Sequence, residues 1–245
     1  MSNHEIEKKP ERTFTKFDKF PKFKNEDLVE SSFINASDRK TESCTIKIAG
    51  SYFGKPLSRG NIKVDKNTGL FSLFAGATCL NCKDCIGNCY ACREQRYTNV
   101  YNKRVAYTHL ATANTNYLAS VLDTQIKHEK NHGMKYVRIH ESGDFFNNDY
   151  IDMWNDIIKR HSDIRFYYFT KVEDILDFSP LKLNNVNSVK SVLPDGSINF
   201  GSEDYILEKS KKFNIPICPY SRDLNNGCGK CTICAFSPYV LIKEH

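Results

Sequence analysis

Ten cysteines carry most of the chemistry that this sequence offers, and five of them fall in the stretch "TCLNCKDCIGNCYAC" at residues 78–92. Thiolates bind soft and borderline metal ions, and gaps of two residues let successive sulfurs reach one centre from a tight turn. Zinc usually gathers its thiolates from two separated knuckles, whereas an iron–sulfur cluster accepts three or four from a single loop. The crowding in one loop therefore favours a 4Fe-4S cluster.

Two partitions of this loop stay open. Its first four cysteines form C-x2-C-x2-C-x3-C, which matches a bacterial iron–sulfur pattern except that Tyr90 stands where that pattern has proline. Its last three cysteines form C-x3-C-x2-C instead. Both partitions use Cys85 and Cys89, so we predict these two as ligands, with Cys79 or Cys92 completing the set.

A second cysteine group lies near the C-terminus, in "CPYSRDLNNGCGKCTIC". Its spacing, C-x9-C-x2-C-x2-C, suits either an auxiliary 4Fe-4S cluster or a structural zinc ion, and the spacing does not decide between them. A pair of structural zinc ions is the alternative for the two groups together. The predicted ligands of this second site are Cys218, Cys228, Cys231 and Cys234, while Cys44 and Cys82 remain unassigned.

The bulk composition predicts one main domain in a reducing compartment. The chain has 245 residues and lacks the apolar run that would cross a membrane. Its first residues, "MSNHEIEKKPERTF", lack the apolar centre of a secretory signal, so we expect a cytoplasmic protein with no membrane partner. In the cytoplasm, closely spaced thiols are more often metal ligands or redox groups than disulfides.

Strand and helix patterns alternate through the second half of the chain. After two helical segments between residues 95 and 131, the order is "KYVRIH", "NNDYIDMWNDIIKRH" with Asn148 as cap, "IRFYYFT", a short helix "KVEDILDF", "VNSVKSVL", "SEDYILEKSKKF" and "NIPIC". Further upstream, "NIKVDKNTGLFSLF" predicts strands joined by an Asn-Thr-Gly turn. The fold class is therefore α/β, with a parallel sheet of βαβ units that forms a partial, TIM-like barrel carrying cysteine-rich metal-binding loops.

We divide the chain into a flexible basic N-terminal arm at residues 1–40 and a single α/β iron–sulfur domain at 41–245, whose cysteine segment spans 215–240. Four phenylalanines recur between lysines in the arm, at Phe14, Phe17, Phe20 and Phe23. Such a pattern fits either a strap that packs on the body or a nucleic-acid contact in which the rings stack on bases. The net charge of +6 permits an anionic partner without requiring one.

The ordered series "FSLFAGATC", "CIGNCYA", "VRIHESGDFFNNDYIDMWNDII", "FYYFTK" and a late C-x2-C-x2-C resembles the phage and plasmid gene product 88 domain family over residues 70–240. The resemblance implies a phage or mobile-element protein. It also implies that Cys79, Cys85 and Cys89 are the cysteines that the family repeats.

The layout is also similar to the radical S-adenosylmethionine fold, in which three cysteines spaced as Cys85, Cys89 and Cys92 hold a 4Fe-4S cluster. In that fold the strand after the cluster loop ends in an acidic glycine turn that contacts the cofactor's amino group. The similarity implies cofactor binding by Ser142, Gly143 and Asp144, with Asp144 and Lys171 as catalytic residues. His140 and Glu141 share this sheet edge, where we expect surface residues. In the alternative interpretation, Asp144 only satisfies backbone donors in the loop before a helix.

The function predicted on these grounds is that of a radical S-adenosylmethionine-like enzyme with an unknown substrate and an electron donor as partner. Two alternatives come from other classes. One is a nucleic-acid-binding protein whose metal centres only shape a basic surface. The other is an electron-transfer protein with two clusters.

Overall fold

The computed structural model describes residues 29–35, 40–46, 55–61, 63–81, 89–222 and 231–243. Three of the cysteines named above, Cys82, Cys85 and Cys228, lie outside these residues, as does most of the predicted N-terminal arm. The end of that arm includes a strand, and the division of the chain into arm and domain remains a prediction.

The first half of the described chain contains two hairpins and three helices. These elements are β1 (Val29–Asn35), β2 (Lys40–Ile46), β3 (Ser58–Arg59), β4 (Thr68–Ser72), α1 (Tyr90–Glu94), α2 (Thr98–Ala113) and α3 (Thr115–Lys130). β1 pairs with β2, and β3 with β4, in antiparallel fashion.

The second half alternates strands and helices, as the sequence predicts. Its elements are β5 (Tyr136–Ser142), α4 (Asn148–Arg160), β6 (Arg165–Thr170), a 3₁₀ turn (Ser179–Leu181), β7 (Val186–Lys190), β8 (Phe200–Gly201), α5 (Glu203–Phe213), a 3₁₀ turn (Tyr220–Arg222), α6 (Ile233–Phe236) and β9 (Ile242–Lys243).

The main sheet has five strands in the order β3-β4-β5-β6-β7, and β4 to β7 run parallel. Each strand of this sheet lies next to the strand that follows it in the chain. Helices α2, α3 and α4 pack on the same face of the sheet, in one core. This arrangement confirms a mixed α/β protein with a mostly parallel sheet of βαβ units. The partial barrel and the cysteine-rich metal loops remain predictions.

The main core lies between the sheet and these three helices. Helix α4 presents the apolar stripe that its sequence predicts, and all of its members are buried: Tyr150, Ile151, Trp154, Ile157 and Ile158. Trp154 packs edge-on against Phe71 of β4 with ring centroids 5.4 Å apart. A fully buried large side chain contributes about 2 to 3 kcal/mol, so this stripe is what holds α4 on the sheet.

The opposite side of the sheet, here called the second face, carries Tyr136 and Arg138 of β5 with Tyr167 and Phe169 of β6. Helix α6 covers the part of this face near the amino ends of the strands, where the ring of Phe236 packs against that of Tyr136. The C-terminal segment is also tied to β7, because the Asn187 amide donates to two of its carbonyls. A smaller core forms beside it from Leu193, Ile206, Ile215 and Leu241.

Two predicted elements are wrong, for local reasons. "KVEDILDF" forms hydrogen-bonded turns and not a helix, because Asp177 accepts bonds from the backbone and hydroxyl of Ser179 and so starts a separate 3₁₀ turn containing Pro180. "NIPIC" contributes only a single bridge, between Ile217 and Leu241.

Two predicted turn and cap positions also shift. Asn147, not Asn148, caps α4 by accepting from the Tyr150 amide at 2.8 Å. The Asn-Thr-Gly stretch largely belongs to β4, because the chain turns earlier, where the Asn61 side chain accepts two backbone bonds.

Candidate functional site

The segment that leads from β4 into the cysteine loop is fixed by the neighbouring strand and by helix α2. The Leu73 amide donates to the Ser142 carbonyl at 2.9 Å. One residue later the Phe74 amide donates to the Thr108 hydroxyl at 2.8 Å. These bonds aim the chain across the carboxyl end of β5, where sites in parallel sheets lie.

The first residues of the loop reach the carboxyl end of β6 as well. The Asn81 amide side chain donates to the Lys171 carbonyl at 3.1 Å. The Thr78 hydroxyl accepts from the Asp144 amide at 3.3 Å. Cys79, between these two contacts, therefore starts the loop directly above the ends of the two central strands.

Helix α1 ends the cysteine loop and lies against the carboxyl end of β5. Cys89 is the N-cap residue of α1, and Cys92 follows three positions later, a spacing that puts both thiols on one side of the helix start. The Tyr90 hydroxyl donates to the Glu141 carbonyl. Arg104 of α2, which is buried, donates to the Ala91 carbonyl at 2.8 Å and so holds α1 from behind.

Asp144 is buried between the ends of β5 and β6 and accepts three hydrogen bonds. Its Oδ1 accepts from the Thr170 hydroxyl at 2.7 Å and from the Phe145 amide at 2.8 Å, and its Oδ2 accepts from the Lys171 amide at 3.0 Å. Burial raises the pKa of Asp144 to about 6, against the opposing effect of these bonds. The carboxylate thus joins the two strand ends, and Oδ2 keeps capacity for one further donor.

Gly143 adopts a conformation that side chains avoid, with a φ of +82°. A Cβ at this position would lie 2.6 Å from the Thr78 hydroxyl and 2.8 Å from the Leu73 Cβ, so the cysteine-loop segment passes against bare backbone. Ser142 is buried and donates its hydroxyl to the Leu73 carbonyl at 2.8 Å. In the structure, the Ser-Gly-Asp turn therefore binds the loop segment and the end of β6.

His140 is not a surface residue, contrary to the sequence prediction. It is buried, has a φ of +62°, and places Nε2 2.9 Å from the Tyr150 hydroxyl. Between the pairs Leu70↔Arg138 and Ser72↔Ser142, β4 advances by two residues while β5 advances by four, so β5 bulges here. Burial, and after it the charge of Arg138, lowers the pKa of His140 to about 3, which keeps the imidazole neutral.

The remaining predicted residues are distributed around this turn. The side chain of Lys171 is exposed, while its backbone makes the contacts to Asp144 and Asn81. Within the ranges that the structure describes, no three side chains of the His, Cys, Asp and Glu types converge on a point that could hold a metal ion. The described cysteines of the two predicted sets are Cys79, Cys89, Cys92, Cys218, Cys231 and Cys234. Because Cys85 and Cys228 lie outside the described residues, both ligand sets remain predictions.

A family model described as Gene product 88 matches residues 40–215, which is most of the chain. The chain belongs to the Gene product 88 family. The family prediction is confirmed, and the match includes the cysteine loop, the Ser-Gly-Asp turn and the four parallel strands of the main sheet.

A relative of this Gene product 88 chain is the "Gene 88 protein" of Mycobacterium phage D29, a similarity that supports the prediction of a phage-type protein. The two are 27% identical over a region that covers 43% of this chain and 53% of the phage protein. The chain thus spans about half the length of the relative it matches. No solved structure matches the chain. In the described part of this family member, no helix is long and apolar enough to cross a membrane.

Sequence reasoning missed three features of the site in this Gene product 88 chain. In the sequence, Thr170 is only the last residue of a strand pattern, yet its hydroxyl is the side-chain group that anchors Asp144. The bulge at His140 has no signature in the sequence, because the alternation around it looks regular. Arg138 was part of a strand pattern and nothing more, although its guanidinium lies over the Phe169 ring on the second face, at 5.0 Å.

Proposed function

We propose that this Gene product 88 chain is an iron–sulfur protein that acts as a radical S-adenosylmethionine-like enzyme. The observation that supports this most is the anchoring of the cysteine loop. At the start of the loop, the Thr78 hydroxyl accepts a hydrogen bond from the Asp144 amide in the turn after β5. Towards its end, the Tyr90 hydroxyl donates to the carbonyl of Glu141 in β5. Thiols from one loop are thereby presented at the sheet edge where parallel α/β enzymes carry their sites.

The strand order supports the partial barrel in the same proposal. In a barrel each strand pairs with the next in the chain and the helices lie on one face, as they do for β4 to β7 here. We propose that the second face is the inside of such a partial barrel and that the cysteine loop lies at its carboxyl-end opening.

The residues present fit the proposed metal group in their chemistry. We assign the first cluster to Cys85 and Cys89 with Cys79 or Cys92, and the C-terminal set of Cys218, Cys228, Cys231 and Cys234 to a second 4Fe-4S cluster or to zinc. Such a cluster, when bound, supplies single electrons to the sulfonium of S-adenosylmethionine.

Within this proposal the chain's own residues orient the cofactor. The Oδ2 atom of Asp144, which can accept one further hydrogen bond, binds the ammonium of the cofactor's amino-acid moiety. The exposed ammonium of Lys171 lies near the Asp144 carboxylate. Gly143 lets the turn approach the loop segment closely, and Ser142 keeps the turn against that segment. The contacts of Asp144 to Thr170 and to backbone amides hold its carboxylate in one orientation.

Metal analysis and electron paramagnetic resonance of anaerobically purified protein test this function. We expect brown protein with more iron than zinc, and a reduced-cluster signal that changes when S-adenosylmethionine is added. Cys89→Ala should abolish the signal of the first cluster, because both partitions use Cys89. Cys82→Ala is the matched control, since the family pattern does not include that cysteine, and it should retain its iron.

Three results would contradict parts of the proposal. Colourless protein with stoichiometric zinc rules out the iron–sulfur assignment. A signal that S-adenosylmethionine leaves unchanged favours an electron-transfer protein. Loss of all iron in the Cys82 variant overturns the assignment of ligands.

A further inference from the structure

Arg138 lies on the second face of the sheet, at the middle of the central strand β5. Its chain neighbours Val137 and Ile139 are fully buried in the main core, so strand alternation directs Arg138 away from the helices. Below it, toward the amino ends of the strands, α6 covers the second face. Above it lie the bulge and the residues that contact the cysteine loop.

Among the residues that the structure describes, the guanidinium of Arg138 is incompletely paired. It stacks over the Phe169 ring at 5.0 Å, while its Nε is buried and makes no hydrogen bond. No carboxylate in the described part of the chain forms an ion pair with it. The nearby carboxylate of Glu141 is directed elsewhere, toward the Asn61 amide and the Ser72 hydroxyl.

Arginine stays protonated in proteins, so the guanidinium is charged here. Burial alone would lower its pKa, but Tyr90, Tyr167, Glu141 and Cys234 raise it above the ordinary value for arginine. The buried part of the guanidinium is its Nε; leaving a charged group's buried donor without a hydrogen-bonded partner is costly, and stacking on a ring offsets only part of that cost. An external anion would supply the missing partner.

We propose that Arg138 is the anchor of a binding site on the second face for the oxoanion group of a small-molecule ligand, either a phosphate or a carboxylate. A guanidinium presents its donors in a planar fork that fits two oxygens of such a group, and the Phe169 ring holds that plane in place. Tyr90 and Tyr167 lie near the guanidinium, and the Tyr90 hydroxyl already donates to the Glu141 carbonyl. The proposal does not depend on the reaction proposed above, although two groups near Arg138 belong to or adjoin the predicted ligand sets: Cys234 and, beside Cys89, Tyr90.

Arg165 provides a matched control on the neighbouring strand. Its guanidinium also stacks on an aromatic ring, that of Phe236 at 4.7 Å, but its donors are satisfied by the carbonyls of Ala235 and Asn184. Both arginines therefore lie on strands of the second face and stack on an aromatic ring. They differ in whether their guanidinium donors have hydrogen-bond partners.

The test is thermal unfolding of the full-length protein at constant ionic strength, with sodium chloride replaced by sodium phosphate in one arm and by sodium acetate in the other. We expect at least one oxoanion to raise the melting temperature of the wild type by about 3 °C at a tenfold excess over its Kd. A shift with phosphate alone identifies a phosphorylated ligand, and a shift with acetate alone identifies a carboxylate.

The variants decide whether Arg138 is responsible. Arg165→Met should melt at a lower temperature than the wild type in chloride, yet keep the shift caused by the oxoanion. Arg138→Met should lose that shift; if this variant fails to fold, Arg138→Lys, which keeps the charge without the fork, should show less than half of it. A wild type that responds to neither anion, or an Arg138 variant that responds as strongly as the wild type, overturns the proposal.

Discussion

At the scale of single residues, the environment of Asp144 contains two opposing effects on its charge. Burial favours the protonated acid, whereas the bonds from Thr170, Lys171 and Phe145 favour the carboxylate. The outcome, a pKa of about 6, lies above the ordinary value for aspartate. The folded state therefore binds this proton more tightly than the unfolded chain does.

Asp144→Asn should make stability less dependent on pH. With a raised folded pKa, the contribution of Asp144 is fully present below its unfolded pKa of about 3.9 and is lost as pH rises through about 6. The stability advantage of the wild type over the variant should thus shrink by about 2 kcal/mol between pH 4 and pH 7. Urea unfolding followed through the fluorescence of Trp154 measures this. An advantage that grows with pH would show that the hydrogen bonds outweigh burial.

At the scale of elements, the turn after β5 depends on a glycine that lies directly against the cysteine-loop segment. Gly143 combines a positive φ with close contacts to Thr78 and Leu73. Gly133, after α3, has a similar φ of +88°, yet a Cβ there would meet nothing within 4 Å. Conformation and contact therefore both require a glycine at position 143, whereas conformation alone requires one at position 133.

Gly143→Ala should cost about 2 to 4 kcal/mol of unfolding free energy, whereas Gly133→Ala should cost about 1 kcal/mol. The difference between these two losses of unfolding free energy measures the free energy needed to move the loop segment away from the turn. Denaturant unfolding of both variants provides the comparison, and metal content should fall only in the Gly143 variant. Equal losses would mean that the loop segment shifts without resistance.

At the scale of the whole molecule, the C-terminal segment joins the sheet through few contacts on the second face. The Asn187 side chain of β7 donates to the carbonyls of Cys234 and Ser237 at 2.9 and 2.8 Å. Arg165 adds a bond to the Ala235 carbonyl at 2.8 Å. These two side chains therefore help to fix the C-terminal segment on the sheet, together with the backbone bond from Lys190 to the Pro238 carbonyl.

Asn187→Ala should loosen residues 231–243 without disturbing the main core. Two lost bonds to buried carbonyls amount to about 2 kcal/mol. We expect hydrogen exchange in this segment to become about tenfold faster or more, with little change in α4. Asn184→Ala, at an exposed position three residues earlier in the chain, serves as control and should behave as the wild type. Unchanged exchange in the Asn187 variant would assign the attachment to other contacts.

The candidate site was predictable in its location but not in its detail. "ESGDFF" and "FTK" follow two adjacent strands, and carboxyl ends of parallel strands meet at one edge, so their proximity follows from the order of elements. The bond from Thr170 to Asp144 and the bulge at His140 could not be predicted, because they depend on the relative height of two strands, and register across a sheet has no local signature.

The sequence by itself determined the βαβ order, the apolar stripe of α4, the family and the clustering of cysteines in one loop, because each of these follows from local periodicity or from an ordered series of motifs. Only the tertiary structure decided that His140 is buried, that Ser142 and Gly143 bind the loop segment, and that the Nε of Arg138 is buried without a hydrogen-bond partner among the described residues. The physical reason is that periodicity reports which face a residue takes within its own strand or helix. The partner it meets there comes from a distant part of the chain.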